Sequence, residues 1–263
     1  MTREQFRTIF LPPKPIIGMI HVFSETQKEQ IRQALEDLER LQQWFVDGVI
    51  IENYDWGYAD TNCATRKTLG IMLQITREVM RMAEIPVGVN LLPNDFEGAF
   101  IICRETGAQF LQLDFIVDKL INNEGTEVEP VNLEEYRWYR KNYPRVTVLG
   151  GVHPKYYTLR DSSVTIGESA KRARELCDAV VVTGEETGGE TRIKDLQLVR
   201  EAISDFPLLV GSGLSVNNCG EQLAIADAAI VGSAFKRRGV IHGEPIDESL
   251  AKALYEKVVS VFR

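Results

Sequence analysis

Short apolar segments alternate along the chain with longer segments in which apolar residues recur every three to four positions. The short segments are rich in valine and isoleucine and are apolar almost throughout, which is typical of parallel strands buried on both faces. The longer segments have the period of amphipathic helices. We predict strands at 15–22, 48–54, 86–92, 110–116, 146–153, 179–183, 208–213 and 228–234, and helices near 26–45, 66–84, 95–106, 132–142, 167–177, 194–204, 217–225 and 247–262.

This alternation predicts the fold. The chain has 263 residues, and eight strand–helix units of roughly 30 residues each have the size of a (β/α)8 TIM barrel. A doubly wound sheet is the alternative, but it needs a point at which the strand order reverses and usually has fewer strands. No linker, charge block or low-complexity stretch divides the sequence. We therefore expect one α/β barrel domain over residues 1–263.

Composition narrows the range of partners. The formal net charge is −8, which disfavours nucleic acid, because binding to phosphate backbones needs a basic face. No apolar run approaches the roughly 20 residues of a membrane span, and the N-terminal residues lack the apolar core of a signal peptide. The four cysteines lie far apart, so neither a disulfide framework nor a zinc site is predicted. We expect a cytoplasmic protein.

Polar residues end several of the apolar strands, where the active site of a TIM barrel lies. Glu52 and Asp114 end two even-numbered strands, whose inward side chains share layers, so both can face one ligand. A carboxylate pair beside histidines suits general acid–base catalysis. The same side chains could instead hold a divalent metal or form a structural ring of hydrogen bonds, and no cofactor is predicted. The residues concerned are His21, Glu52, Asn53, Asn90, Asp114 and His153.

Glycine and serine follow both the seventh and the eighth predicted strand, as Gly211-Ser212-Gly213 and Gly232-Ser233. Loops at these places form the usual phosphate site of the fold, because glycines let backbone N–H groups approach an anion. Tight turns are the alternative explanation. The basic run 236–238 comes next and is either a solvated face or a means of steering an anionic substrate.

Other loops offer further candidates. The polar, glycine-rich loop after the sixth strand, which includes Glu185, is either a closing lid or a plain surface loop. The aromatic residues Tyr54, Trp56 and Tyr58 could stack on a sugar or base, or cap the barrel rim. No lysine lies inside a predicted strand, so a buried Schiff-base lysine is disfavoured. Lys155, two residues beyond His153 at the end of the fifth strand, is the nearest candidate.

Six segments together resemble a known family. They are KPIIGMIH (14–21), VDGVIIENY (46–54), PVGVNLLPND (86–95), DAVVVTGEETG (178–188), PLLVGSGLSVNN (207–218) and AAIVGSAFKRRG (228–239), followed by EPIDE (244–248). The chain resembles the BtpA/SgcQ family, which is named for a photosystem I biogenesis protein and a protein of a sugar-phosphotransferase operon. The resemblance implies a phosphate-binding type of TIM barrel that forms a homo-oligomer. The chain departs from the family pattern after GMIH, after ENY and at the end of the fifth strand, where Lys155 is kept.

The leading hypothesis is an enzyme of isomerase, lyase or hydrolase type that acts on a small phosphorylated metabolite, either a sugar phosphate or a ribosyl phosphate derived from a nucleotide. A non-enzymatic assembly or regulatory factor is the alternative that the family name suggests. In the enzyme hypothesis, Glu52 and Asp114 are the acid and base, and His21 and His153 orient or polarise the substrate. Its hydroxyls and phosphate are bound by Asn53, Asn90, Asn94, Lys155, Glu185, Gly211, Ser212, Gly213, Gly232 and Ser233.

Overall fold

The computed structural model describes residues 6–23, 26–43, 45–53, 62–239 and 244–263. Within these ranges the strands are β1 (Ile16–Val22), β2 (Gly48–Asn53), β3 (Val87–Asn90), β4 (Phe110–Leu113), β5 (Leu120–Asn122), β6 (Glu127–Val128), β7 (Thr147–Val152), β8 (Tyr157–Leu159), β9 (Ala179–Val182), β10 (Leu208–Val210) and β11 (Ala228–Val231). All but β5, β6 and β8 are parallel and close into one barrel in chain order. The predicted (β/α)8 barrel is confirmed.

Helices cover the outside of the barrel. They are α1 (Gln27–Gln42), α2 (Arg66–Met82), α3 (Phe96–Thr106), α4 (Leu133–Asn142), α5 (Ile166–Ala173), α6 (Ile193–Ile203), α7 (Cys219–Ile225) and α8 (Glu248–Phe262), with a short 3-10 turn at Ser233–Phe235. In the described ranges, no helix combines the length and the apolar composition that crossing a membrane requires.

Local sequence signals fix several helix ends. Asp95 accepts a hydrogen bond from the backbone N–H of Gly98 at 2.8 Å and so caps the start of α3. Gly107 ends the same helix with a φ of 85°, a conformation that side chains disfavour. Thr165 and Glu168 form a reciprocal capping box at the start of α5. Each cap is worth about 1 kcal/mol, which helps these helices to begin where the barrel needs them.

The interior of the barrel is packed with apolar side chains at its N-terminal end. Ile17, Ile50 and Phe110 belong to one buried cluster with Phe6 and Phe10, which precede β1. The rings of Phe10 and Phe110 meet edge to face, with 5.3 Å between their centroids. Apolar side chains therefore fill the N-terminal end of the barrel, and the polar strand ends lie at the opposite end. We call that opposite end, formed by the carboxyl ends of the barrel strands, the mouth.

A small antiparallel sheet that the sequence pattern did not predict lies in the loops at the mouth. Its strands β5, β6 and β8 come from the connections that follow β4 and β7, in the order β6-β5-β8. The rings of Phe115 and Tyr157 are 5.6 Å apart. This contact attaches the small sheet beside the carboxyl end of β4.

The basic run after β11 forms ion pairs with neighbouring elements, and its two arginine side chains remain largely exposed. Lys236 has a fully buried side chain whose Nζ lies 3.8 Å from Asp37 Oδ2 on α1. Arg237 forms an ion pair with Asp247, and Arg238 forms one with Glu244. The three cations therefore bind the segment before α8 to the helix layer.

Candidate functional site

One row of inward-facing side chains crosses four neighbouring strands at the mouth. The register pairs His21 with Glu52, Glu52 with Asn90, and Asn90 with Gln112. Two residues earlier on β2, Ile50 belongs to the interior apolar cluster, and because side chains alternate along a strand, the row faces the same way. All four residues are largely buried: His21 is 4% exposed, Asn90 is 1% exposed and Gln112 is 8% exposed. The Glu52 side chain is 13% exposed. We call these four residues the polar row.

Asn90 holds two carboxylates close together. Its Nδ2 donates hydrogen bonds to Glu52 Oε2 at 2.8 Å and to Asp114 Oδ1 at 3.2 Å. Gln112 Nε2 donates to the same Asp114 oxygen at 3.4 Å. His21 Nε2 lies 3.7 Å from Glu52 Oε1. The structure thus brings together His21, Glu52, Asn90 and Asp114, which the sequence placed at four separate strand ends.

The surroundings of Glu52 and Asp114 raise the pKa of both carboxyl groups. The pKa of Glu52 is raised to about 7, first by burial and then by the negative charge of Asp114, while Lys155 and the hydrogen bond from Asn90 oppose the rise. Burial also raises the pKa of Asp114, against the opposing effects of Lys155 and the two amides. A carboxyl group that titrates near neutral pH can both give and take a proton under physiological conditions.

The positive charge of Lys155 lowers the pKa of both Glu52 and Asp114. Lys155 lies in a segment with two unusual backbone positions, His153 with a φ of 48° and Tyr156 with a φ of 68°. Residues other than glycine adopt such angles at a cost of about 1–3 kcal/mol, and these positions cluster at functional sites. The Tyr156 hydroxyl donates to Thr187 Oγ1 at 2.8 Å and accepts from the Thr187 N–H at 2.9 Å, which ties this segment to the loop after β9.

His153 lies apart from the carboxylate pair in the contacts that the structure describes. Its Nε2 is hydrogen-bonded to Ser169 Oγ on α5 at 3.1 Å, and burial lowers its pKa. Strand alternation along β7 predicts a side chain that faces the lumen, but the positive φ of His153 interrupts the alternation. The contacts of His153 therefore favour a role in docking the strand end against the helix layer.

Asn53 and Asn94 use their amides to shape the loop after β3. Asn53 accepts from the Leu92 N–H at 2.7 Å and donates to the Leu92 carbonyl at 3.3 Å. Asn94 accepts from the Asp114 N–H at 2.9 Å and donates to the Phe115 carbonyl at 3.0 Å. Asn53 therefore holds the backbone at Leu92, and Asn94 holds the backbone that carries Asp114. Hydroxyl binding by these two residues stays a prediction.

The loops after β9 and β10 are joined by Ser212. Its hydroxyl accepts from the Gly184 N–H at 2.7 Å and donates to the Gly189 carbonyl at 3.1 Å. Gly213 has a φ of 69°, and a Cβ there would lie 2.2 Å from the Gly189 carbonyl oxygen. Glu185 lies at the surface of the same loop, ion-paired with Arg192. Ser212 and Gly213 therefore set the distance between the two loops, and substrate binding by Glu185 stays a prediction.

The loop after β11 reaches both the polar row and the loop after β9. A Cβ at Gly232 would lie 2.7 Å from His21 Cε1, so only glycine lets this backbone approach the imidazole. A Cβ at Gly188 would lie 3.0 Å from Ser233 Oγ. The glycines predicted to approach a phosphate thus line the same mouth as the carboxylate pair. Gly211, at the end of β10, packs against Val181 and Thr183.

Two site residues were missed by sequence reasoning. Gln112 lies in the polar row, and the signal that could have identified it is its spacing of two from both Phe110 and Asp114 on one strand. Tyr157 lies in β8, where burial and the charge of Asp114 raise its pKa. Nothing in the sequence pattern placed Tyr157 near that carboxylate, because the small sheet was not predicted. The predicted aromatic positions Tyr54, Trp56 and Tyr58 lie outside the described residues.

Metal ligation was the alternative use of the strand-end side chains. In the part of the chain that the structure describes, no group of three or more histidine, cysteine, aspartate or glutamate side chains is placed to hold a metal ion. Cys103, Cys177 and Cys219 are buried and Cys63 is exposed, all with free thiols.

Comparison with known sequences connects this chain to a family. The model of the BtpA family matches residues 12–260. An uncharacterised protein of Pyrococcus abyssi is 31% identical over 239 residues, which cover 87% of this chain and 90% of that protein. The photosystem I biogenesis protein BtpA of Synechocystis is 27% identical, over 96% of this chain and 90% of that protein. The putative sgc region protein SgcQ of Escherichia coli is 26% identical, over 89% of this chain and 86% of that protein.

Comparison with solved structures shows the same fold. Phosphoribosyl anthranilate isomerase from Thermococcus kodakaraensis superposes with a TM-score of 0.57 at 18% identity, over 93% of this chain and 98% of that one. Orotidine 5'-phosphate decarboxylase from Pyrococcus horikoshii superposes with a TM-score of 0.58 at 15% identity, over 93% and 99%. Both are barrel enzymes named for phosphorylated compounds.

Proposed function

The chain belongs to the BtpA family, and we propose that it is an enzyme that transfers protons on a small phosphorylated metabolite. The substrate is a sugar phosphate or a ribosyl phosphate derived from a nucleotide, and the reaction is of isomerase, lyase or hydrolase type. The proposed enzyme is a cytoplasmic homo-oligomer.

The paired carboxyl groups at the mouth carry the proposal. Glu52 has a pKa of about 7, and Asn90 connects it to Asp114 through two hydrogen bonds. Burial of two carboxyl groups within reach of one amide costs stability, because each would be better solvated in water. Such an arrangement is typical of a site that transfers protons, since perturbed pKa values cluster at catalytic positions.

The geometry supports distinct roles within the pair. Glu52 is the acid–base group, since its pKa is near the working pH and its side chain is the more directly flanked by His21. The negative charge of Asp114 raises the pKa of Glu52, and the positive charge of Lys155 lowers the pKa of Asp114. Lys155 is placed to stabilise negative charge that develops when Glu52 removes a proton from the substrate.

The phosphate group is proposed to bind beside this pair, at the loops after β10 and β11. The close approach of Gly232 to His21 supports this arrangement, since it places a glycine backbone next to the polar row. The two similar solved structures support it by fold, because phosphate binding in TIM barrels commonly uses these two loops. Since the Ser212 hydroxyl is already used between loops, the proposed donors are backbone N–H groups of Gly213, Gly232 and Ser233.

The first test is a thermal-shift screen of the purified protein against phosphorylated sugars, nucleotides and their dephosphorylated counterparts. A ligand at about 100 times its Kd adds about 2.7 kcal/mol to the free energy of unfolding. Shifts confined to phosphorylated compounds are expected, and each hit is then assayed for turnover. The Glu52→Gln variant should keep binding and lose turnover, whereas turnover that survives this change contradicts the proposed role of Glu52.

A scaffold or assembly role is the second candidate, favoured by the name of the Synechocystis relative. It predicts that partner capture from a lysate survives Glu52→Gln and Asp114→Asn, since neither carboxylate is then needed. Absence of any ligand-induced shift, together with such capture, would replace the enzyme proposal.

A further inference from the structure

Helix α4 lies on the outside of the barrel with most of its surface uncovered. Tyr136 is the one buried residue of its ten, all of which the structure describes. The Tyr136 ring packs edge to face against Phe96 of α3, with 5.7 Å between the centroids, and this contact fixes the side of α4 that faces the barrel. An α-helix turns about 100° per residue, so Trp138, two residues further on, lies on the outer side. Trp138 is 54% exposed.

The ring of Trp138 is held in place although it is exposed. It meets the ring of Tyr139 edge to face, with 5.0 Å between the centroids, and lies 6.4 Å from the ring of Tyr143. Both tyrosines stack on Phe100 of α3. A supported ring loses little conformational freedom when a partner covers it, and tryptophan is enriched among the residues that contribute most to protein–protein interfaces. Trp138 therefore has the properties of an interface residue.

The outer face of α4 carries a charge pattern around Trp138. Positions i, i+3, i+4 and i+7 of a helix form one stripe, and they are occupied by the exposed residues Glu134, Arg137, Trp138 and Lys141. The acidic residue is at one end of the stripe, and the basic residues are at its middle and other end. In the part of the chain that the structure describes, the side chains of Glu134, Arg137 and Lys141 form no ion pair. Their charges are therefore free to pair with another molecule.

This stripe is complementary to itself in the antiparallel direction. The spacing i, i+3, i+4, i+7 is unchanged when it is reversed, so a two-fold axis between residues 137 and 138 places the stripe of a second copy directly against it. Glu134 then lies opposite Lys141 of the second copy. Arg137 lies opposite Trp138, where a guanidinium group over an indole ring is favourable. A parallel arrangement would bring like charges together, and a partner of one sign would match only part of the stripe.

We infer that the outer face of α4 is a two-fold contact between two copies of this chain, with Trp138 at its centre. The inference rests on the homo-oligomer of the proposed function and names the surface that forms it, but it does not depend on the proposed catalysis. A helix of ten residues is about 15 Å long, so the contact is smaller than the roughly 800 Å² per copy of a standard interface. We therefore expect the dimer to be in equilibrium with the monomer.

Sedimentation velocity of the full chain, measured as a function of protein concentration, follows this equilibrium. The dimer fraction should rise with concentration, and Trp138→Glu should raise the dimer Kd by at least about 30-fold, as expected for a central interface residue. Leu198→Glu is the matched control, since Leu198 is an apolar residue on α6 that is 40% exposed, and it should leave the Kd unchanged. A Trp138→Glu dimer as stable as that of the wild type would overturn the inference.

Reversal of charge tests the antiparallel arrangement. Glu134→Lys alone should weaken the dimer by roughly 5- to 30-fold, because both symmetric ion pairs become repulsive. Lys141→Glu alone should have a similar effect for the same reason. The double variant restores opposite charges at both pairs, so its Kd should return to within about 3-fold of the wild-type value. A double variant as weak as either single variant would contradict the arrangement.

The outcomes also separate this inference from the proposed function. If the wild-type chain self-associates but Trp138→Glu and Leu198→Glu have equal effects, the homo-oligomer stands and α4 is not its contact. If the wild-type chain is monomeric at every concentration, both the contact and the homo-oligomer are refuted, while the proposed catalysis is not. If circular dichroism shows that Trp138→Glu does not fold, the recovery of the dimer in the double charge variant still decides the question.

Discussion

Replacing Glu52 with glutamine should stabilise the protein at alkaline pH while it removes the proposed acid–base group. The folded-state pKa of Glu52 is about 7, against an ordinary value of 4.5. Because the carboxyl group holds its proton more tightly in the folded state, unfolding releases a proton between these two pH values. The stability of the wild-type protein therefore falls as pH rises from about 4.5 to about 7, and stays lower above that window.

The size of the effect follows from the same two values. At about 1.36 kcal/mol per pH unit, the difference corresponds to about 3 kcal/mol, and the Glu52 side chain is only 13% exposed, so solvent screens little of it. Glutamine cannot ionise and retains a group that can accept from Asn90. We expect Glu52→Gln to be more stable than wild type by about 3 kcal/mol at pH 8, but by less than about 1 kcal/mol at pH 5.

Urea denaturation followed by circular dichroism at pH 5 and pH 8 measures this difference directly. In thermal denaturation, the gain at pH 8 should appear as a rise in Tm of about 6–12 °C. Glu185→Gln is the matched control, since this exposed carboxylate forms a surface ion pair and should change stability by less than about 1 kcal/mol at either pH. A Glu52→Gln effect that is equal at both pH values would refute the argument that burial holds a proton on Glu52.

Three further predictions concern other contacts of the structure. Lys155→Met should raise the pKa of Glu52 above about 7, because the lysine charge opposes the rise. The chemical shift of the Glu52 carboxyl carbon, followed by NMR across pH, measures this pKa, and an unchanged midpoint argues against an effect of the lysine charge. Lys236→Met should destabilise the protein by about 1–3 kcal/mol in urea, because the buried Asp37 loses one of its two cations and keeps only Arg40, 3.3 Å away, and an unchanged stability would contradict the ion pair. Gly188→Ala should destabilise by about 1 kcal/mol or more, because a φ of 77° is strained for alanine, and a neutral result in the same assay would show that the loop relaxes.

The sequence predicted the barrel and the convergence of its strand ends because both depend on repeating patterns. Every barrel strand is a short apolar run, and parallel strands in a closed barrel bring their carboxyl ends to one mouth. The apolar pattern alone therefore predicts that Glu52 and Asp114 face one another across the mouth. His21 and Asn90 joined them for the same reason, since each also ends a strand.

What the sequence could not predict depends on single backbone angles and on contacts with loops. His153 has the correct spacing to face the lumen, but its φ of 48° directs it to Ser169. Asn53 and Asn94 are polar residues at strand ends like Asn90, yet their partners are backbone groups of neighbouring loops. Such differences between similar residues arise from tertiary contacts, which a pattern of apolar and polar positions does not encode.

The aromatic residues at the N-terminal end of the barrel have a kinetic consequence. Phe6 and Phe10 pack with Phe110 below the polar row, so a small molecule bound over Glu52 has no passage through the packed interior. In the proposed enzyme, substrate would then enter and product would leave through the mouth, and each product molecule would have to diffuse away before the next substrate could bind. Product inhibition in such an enzyme would be competitive, and the dissociation rate of the product would set the upper limit on turnover.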